Sequence, residues 1–318
     1  MATLTVPSCV PSPAEDCEQL NKAFSGWGTN EKLIIDILAH RNATQRNVIR
    51  KTYSELYGHD LLVSLGKELS SDFERSVLIW TLDPSDRDAV LVEETMRKWK
   101  PCNHGVLVEI ACTRSCDELI SIRKAYQTRF KKCIEEDLAV KIKGEFKKLL
   151  LPLVTAYRYE ASEGANMALA KSEAKILHQK ISDKAYDDDE VIRILTTRGK
   201  YQLRATFNHY TDGFGTELVK DLECDPKNEF LAALRATVLS TKCPTTYFEE
   251  VLRHAIKRTG TDEGALTRVV TTRAEVDLEL IKQEYMKRNS VSLEIAVMKD
   301  TRGDYENMLL ALLGHKDT

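Results

Sequence analysis

The stretch Gly26–Arg41, GWGTNEKLIIDILAHR, and the stretch Thr259–Arg273, TGTDEGALTRVVTTR, share one plan. In each, a glycine loop opens onto a run that closes on an arginine. Leu33, Ile34, Ile37 and Leu38 recur at helical spacing and fall on one face of such a run. Two more arginines, Arg114 and Arg198, close similar runs, so the four stand 73, 84 and 75 residues apart. Twelve residues after each comes a tyrosine (Tyr53, Tyr126, Tyr210, Tyr285), and further on an aromatic (Phe73, Phe146, Phe230, Tyr305) begins a leucine-rich segment. A period this long, with several turns inside it, predicts four copies of a module of about five helices. Strand-type alternation is hard to find, and the predicted class is all-α. The copies are expected over residues 14–82, 86–156, 168–239 and 243–314, with the longer gap around YRYEASEGANMALAKSEAK joining two halves.

Composition limits what such a chain can do. Its 318 residues can bury a sizeable core. A net charge of −3 gives no global basic field to draw the chain to nucleic acid or anionic lipid, and nucleic acid is not an expected partner. The apolar run LLLPLVTAY is far short of the roughly 20 residues that a membrane span requires. The first 20 residues lack a basic region followed by an apolar core, so no signal peptide is expected. Eight cysteines are scattered without CxxC pairs, which reads as reduced thiols in the cytoplasm and disfavours a zinc site.

The two glycine loops keep a second relation. Gly28 precedes Glu68 by 40 residues and Gly260 precedes Asp300 by 40, so each loop has one matched carboxylate later in its copy. Thr29 and Thr261 are expected to cap the helices that follow, turning the preceding carbonyls outward. Carbonyl oxygens with one carboxylate supply part of the six to eight hard oxygen ligands that calcium takes. Plain turn glycines are the other reading of the same residues.

GWGTNE, LAHR, DFER, TGTDEGALTR and KDTRGDY together make the chain resemble an annexin, and a plant annexin in particular, from about residue 14 to Gly314. The resemblance implies an all-α curved disc of four repeats that docks on acidic phospholipid membranes through calcium. It implies a cytoplasmic protein that becomes peripheral on membranes when calcium rises, with self-association on the membrane an open possibility. Carried over by position, the first site uses the carbonyls of Phe24, Gly26 and Gly28 with the carboxylate of Glu68. The fourth uses those of Ile256, Arg258 and Gly260 with Asp300. Arg258 stands where many family members have glycine. Trp27, between two ligand carbonyls, is expected to meet the membrane interface, where an apolar ring with one N–H donor is favoured. The central repeats depart from the pattern. The loop glycines align with Trp99 and Pro101 in the second repeat and with Asp183 and Ala185 in the third. The carboxylate aligns with Lys141 and Asp225. Two calcium sites are expected, not four.

Other signals are weaker. The resemblance attaches a haem peroxidase reading to His40, GTP binding to Asp300-Thr301-Arg302-Gly303, F-actin binding to Ile192-Arg193-Ile194, and a redox cluster to Cys112 and Cys243. The runner-up functions are therefore a haem peroxidase or nucleotide hydrolase, and a redox-linked calcium channel or scaffold. No phosphate-cradling GxxxxGK[ST] loop accompanies the GTP pattern. Cys116 is expected one helical turn after Cys112 on the same face, and buried inert thiols are the favoured reading.

Overall fold

The computed structural model describes residues 1–25, 28–97, 104–155, 158, 164–257 and 260–315. Among these there are 20 α-helices and no strand, and they divide five to a repeat. The first repeat holds α1 (Pro13–Ala23), α2 (Glu31–Leu38), α3 (Ala43–Tyr57), α4 (Leu61–Glu68) and α5 (Ser71–Thr81). The second holds α6 (Pro84–Arg97), α7 (His104–Thr113), α8 (Cys116–Phe130), α9 (Ile134–Lys141) and α10 (Gly144–Val154). The third holds α11 (Met167–Ser182), α12 (Asp189–Thr197), α13 (Lys200–Phe214), α14 (Leu218–Asp221) and α15 (Glu229–Lys242). The fourth holds α16 (Pro244–Ile256), α17 (Glu263–Arg273), α18 (Leu278–Asn289), α19 (Leu293–Asp300) and α20 (Gly303–Leu312).

The arginines that reveal the repeat in sequence anchor it in space. Arg41 grips Asp16 of α1 with two bonds of 2.7 Å, and both side chains are buried. Arg114 grips Asp88 of α6 in the same way, at 2.6 and 3.3 Å. Arg198 reaches Glu173 of α11 at 2.8 Å. Burial pulls the Arg114 guanidinium down, but Asp88 beside it outweighs this and raises it above its ordinary value. In the fourth repeat the aligned partner is Phe248. Arg273 stacks over that ring at 4.6 Å and takes its carboxylate from Asp277 at 2.7 Å. Each arginine thus ties the end of its second helix to the first helix or to the turn that follows.

The tyrosines are the second recurring element. Tyr126 donates to Asp137 and Tyr210 to Asp221, each at 2.6 Å, while Tyr53 donates to Ser64 at 3.3 Å. In every case the acceptor lies eleven residues on, in the fourth helix of the repeat, so third and fourth helices are pinned together. Burial, followed by the carboxylate acceptor, raises the Tyr126 and Tyr210 phenols well above their ordinary range, keeping them donors.

Two compact units result: Met1–Arg87 with Phe248–Thr318, and Asp88–Tyr247. In the first, α5 packs against α17 and α20, and α2 against α20. Trp80 is fully buried there, its indole donating to the Leu38 carbonyl at 2.7 Å. Arg46 lies 3.6 Å over its ring, donates to the Arg41 carbonyl, and reaches Glu275 of the fourth repeat at 2.9 Å. Burial pushes this guanidinium down to about 10, with Glu275 opposing the shift. The N-terminal segment straps onto the same unit. Thr3 N–H donates to the Ala274 carbonyl at 2.9 Å and its hydroxyl to Leu312 at 2.6 Å. Gly314 has φ +74°, and a Cβ there would stand 2.8 Å from the Thr3 carbonyl oxygen, so the strap requires glycine. In the second unit α7 packs on α15, α11 on α13, and α10 on α7 and α12, with Phe146 and Phe230 edge to face at 5.5 Å.

One backbone feature recurs between fourth and fifth helices. Ser71, Gly144 and Gly303, aligned without gaps from the arginines, have φ of 55°, 65° and 65°. The chain turns the same corner in three repeats, but in the first it does so with a serine in the left-handed region.

Two stability changes are expected. Asp16→Ala leaves the buried Arg41 cation without its carboxylate and should cost about 3–5 kcal/mol in denaturant unfolding. Ser71→Gly relieves the left-handed strain and should stabilise by up to about 1 kcal/mol, since that conformation costs an L-residue about 1–2 and glycine returns part of it as entropy.

Candidate metal centre at the glycine loops

The loop between α1 and α2 and the loop between α16 and α17 are built alike. Asn30 N–H donates to the Ala23 carbonyl and Asp262 N–H to the Ala255 carbonyl, each at 3.0 Å, so both loops span the same number of residues. Gly28 and Gly260 have φ of +97° and +86°, with nothing within 4 Å of where a Cβ would lie. These two positions need glycine for conformation, not for space.

The threonines do not cap the helices. The caps are Asn30, accepting from Leu33 N–H at 3.0 Å, and Asp262, accepting from Ala265 N–H at 2.9 Å. Thr29 and Thr261 are engaged elsewhere. Thr29 donates toward a Glu68 carboxylate oxygen at 3.1 Å and lies 3.4 Å from the Glu68 carbonyl. Thr261 stands 2.6 Å from an Asp300 carboxylate oxygen and 3.1 Å from its carbonyl. A hydroxyl that meets a charged acceptor makes a stronger bond than it would to a neutral helix N–H. Each stitch joins the glycine loop to the last residue of α4 or α19, the residue aligned as the loop's carboxylate. The sequence signal for the caps was present, since Asn and Asp are strong N-cap residues, but the threonine beside them competes for the same reading.

Of the expected site residues, Phe24, Gly28, Glu68, Ile256, Gly260 and Asp300 lie within the described structure; Gly26, Trp27 and Arg258 lie outside the described residues. Phe24 terminates α1 and sets its ring edge-on to Tyr53 with centroids 6.4 Å apart. Glu68 is exposed and Asp300 half-buried. Both line one cleft of about 390 Å³, together with Glu31, Asp72, Glu263, Asp304 and Arg302. Six carboxylates face one guanidinium there, a field that draws cations. The donors that each loop offers are carboxylate and carbonyl oxygens, without thiol or imidazole. That chemistry fits a hard cation such as calcium and not zinc. Among the described residues no group of three or more His, Cys, Asp or Glu side chains converges as a metal cage, so any ion here must draw on backbone carbonyls.

The central repeats differ in kind. Trp99 and Pro101 lie outside the described residues. Lys141 stands at the carboxylate position of the second repeat, 3.7 Å from Asp137. In the third, Asp183 ends α11 and Asp188 caps α12 by accepting from Glu190 N–H at 2.9 Å. Asp188 already holds Lys180 at 2.7 Å, and Asp187 holds Lys148 at 3.3 Å. Asp225 accepts from Lys227 N–H at 3.1 Å in a local turn. Tyr186 and Cys224, 3.4 Å apart, occupy the place of the threonine stitch.

The remaining motifs have local partners. His40 Nδ1 lies 3.0 Å from the Asp36 carbonyl, and the ring borders a cavity of about 620 Å³ with Lys32, Asn307 and His315. Gly303 in the DTRG pattern opens α20 at the left-handed corner. Ile192 and Ile194 are buried, and Arg193 pairs with Glu190 at 2.8 Å. Cys112 and Cys116 do not share a helical face. The chain breaks at Arg114, and Cys116 starts α8 behind its cap Ser115. Arg158 meets both, donating to Cys112 Sγ at 3.5 Å, with Cys116 Sγ 3.8 Å from its carbonyl. Cys243 lies 3.0 Å from the Thr246 hydroxyl.

Comparison with known proteins accounts for the whole chain. The Annexin family model matches residues 15–80, 87–153, 172–236 and 247–312. Annexin Gh1 of Gossypium hirsutum is 64% identical over 314 residues, covering 99% of both chains. Annexin D2 of Arabidopsis thaliana is 58% identical over 318 residues, covering 100% of both. Among solved structures, annexin III aligns with a TM-score of 0.91 at 34% identity over 99% of this chain and 98% of its own. A calcium-bound annexin (Sm)1 aligns with a TM-score of 0.84 at 28% identity over 99% and 93%. Four matched repeats of five helices, with plant relatives at this identity over their full length, place the chain in the annexin family, whose members bind phospholipid in a calcium-dependent way.

Proposed function

We propose that the protein docks peripherally on acidic phospholipid membranes through calcium ions held in its first and fourth repeats. The first site draws on the carbonyls of Phe24, Gly26 and Gly28 with the Glu68 carboxylate. The fourth draws on those of Ile256, Arg258 and Gly260 with Asp300. The observation that carries this reading is the repeated stitch, in which Thr29 and Thr261 each hold the carboxylate against its glycine loop. Such a bond fixes the side chain near the loop before an ion arrives, which lowers the ordering cost of binding. The shared acidic cleft raises local cation concentration at both sites. Calcium rarely has its full shell filled by so few protein oxygens, so the vacant positions are where water or a lipid phosphate oxygen enters. Among the described residues no helix is long and apolar enough to cross a membrane, which agrees with attachment from the surface.

Glu68→Gln combined with Asp300→Asn removes the single anionic ligand proposed at each site. Calcium-dependent cosedimentation with phosphatidylserine vesicles should then be lost while helical content by circular dichroism stays unchanged. Retained calcium-dependent binding in that variant overturns the assignment.

Trp27 supplies an independent readout. Trp80 is fully buried and hydrogen-bonded, so its emission should not respond to vesicles, and replacing Trp99 by Phe leaves Trp27 as the responsive fluorophore. On calcium-driven docking that emission should shift to shorter wavelength, and Trp27→Ala should weaken docking without removing its calcium requirement. An unmoved spectrum on vesicle binding sinks the interfacial role of Trp27.

A further inference from the structure

Arg302 stands where its own helix gives an arginine no reason to stand. It is the N-cap of α20, yet its side chain makes no capping bond, and a guanidinium has no acceptor to offer a helix N–H. A cation just ahead of a helix start also meets the positive end of the helix dipole. In the first repeat the same position, as far from Arg41 as Arg302 is from Arg273, is Ser70. Serine is a residue type that caps helices, and Ser70 lines the same cleft as Arg302. Arg302 is exposed, and among the described residues no ion pair commits its guanidinium to one carboxylate.

The surroundings supply the reason that the helix does not. Arg302 borders the cleft of about 390 Å³ with Glu68 and Asp300, and with Glu31, Asp72, Glu263 and Asp304. The last four lie in the first turns of α2, α5, α17 and α20, where acids complement the helix dipoles. Each acid therefore has a local explanation, but their charges add in one space. A compact volume of that size is about 9 Å across, close to the screening length of about 8 Å at physiological salt. A charge inside it thus acts on both glycine-loop sites.

We infer that Arg302 is a built-in counter-cation that sets the calcium threshold of the first and fourth repeats together. This rests on the reading that those two repeats hold calcium. Before an ion arrives, the guanidinium offsets part of the repulsion among the six carboxylates. Once calcium enters, the same positive charge opposes it, so more calcium is required to fill either site. Arg302 is a ligand to neither ion and acts through the field of the cleft. Its effect therefore depends on its charge and not on its shape.

Arg302→Gln removes the charge and Arg302→Lys keeps it, and calcium calorimetry on the full chain without lipid at low ionic strength reads both. A unit charge about 9 Å from a divalent ion in water changes its binding about threefold to fivefold. The Gln variant should bind calcium more tightly by that factor at an unchanged number of sites, while the Lys variant should match the wild type. The gap between Gln variant and wild type should close as salt is added, a response that a purely structural change does not give. In cosedimentation with phosphatidylserine vesicles, the Gln variant should dock at lower calcium. Unchanged or weaker calcium binding by a Gln variant with native circular dichroism overturns the inference and leaves the calcium sites standing. A vesicle threshold that rises in that variant also overturns it, since Arg302 then acts as a lipid contact. Failure of the underlying reading looks different: calcium binding that survives Glu68→Gln with Asp300→Asn overturns both.

Discussion

The arginine at the end of each second helix, buried in three repeats and half-buried as Arg198 in the third, is the constraint on which the repeat depends. A guanidinium taken out of water must be paired, and its rigid fork suits a carboxylate gripped with two bonds. Asp16, Asp88 and Glu173 meet that need from the first helix, which fixes how first and second helices cross. The fourth repeat reaches the same end by other means, with Phe248 under the cation and Asp277 beside it. Two solutions to one desolvation problem explain why the arginine recurs while its acidic partner does not.

That fixed crossing positions the glycine loops. That crossing sets where the first helix ends and the second begins, and a positive φ at Gly28 and Gly260 helps the chain turn between them. The loop is then close enough to the end of the fourth helix for a threonine hydroxyl to reach a carboxylate. Thus a core ion pair, a glycine turn with positive φ and one hydrogen bond together bring oxygens from distant parts of the chain to one place. In the first unit this happens twice around a single acidic cleft, because α5 packs directly against α17 and α20.

The central repeats keep the scaffold and change the chemistry. The Tyr126 and Tyr210 bonds show the same joining of third to fourth helix as in the first repeat. The third repeat has its acidic loop neutralised by its own Lys180 and by Lys148 of the second repeat, and the second places lysine where an acid would be. A scaffold held by core interactions tolerates such exchanges, since the corners are solvated and contribute little to stability.

Periodicity was enough to make the helical class and the four-fold repeat legible, because burying one face of each helix forces apolar residues onto a regular spacing. The Arg–Tyr separation was legible because both residues serve buried, geometrically fixed roles. The family followed from the loop motifs together with their 40-residue relation to Glu68 and Asp300. Local reading failed where competing partners lay far off in sequence. Thr29 looked like a cap until Glu68 came within reach, and Cys112 and Cys116 looked like neighbours on one helix until the chain broke at Arg114. The common cleft, the strap that Thr3 makes to Leu312, and the burial of Arg46 against Glu275 likewise required the fold. A sequence records which face of each helix avoids water, and that determines the repeat. Which side chains meet across repeats depends on packing between helices more than 200 residues apart, and only the tertiary structure decides it.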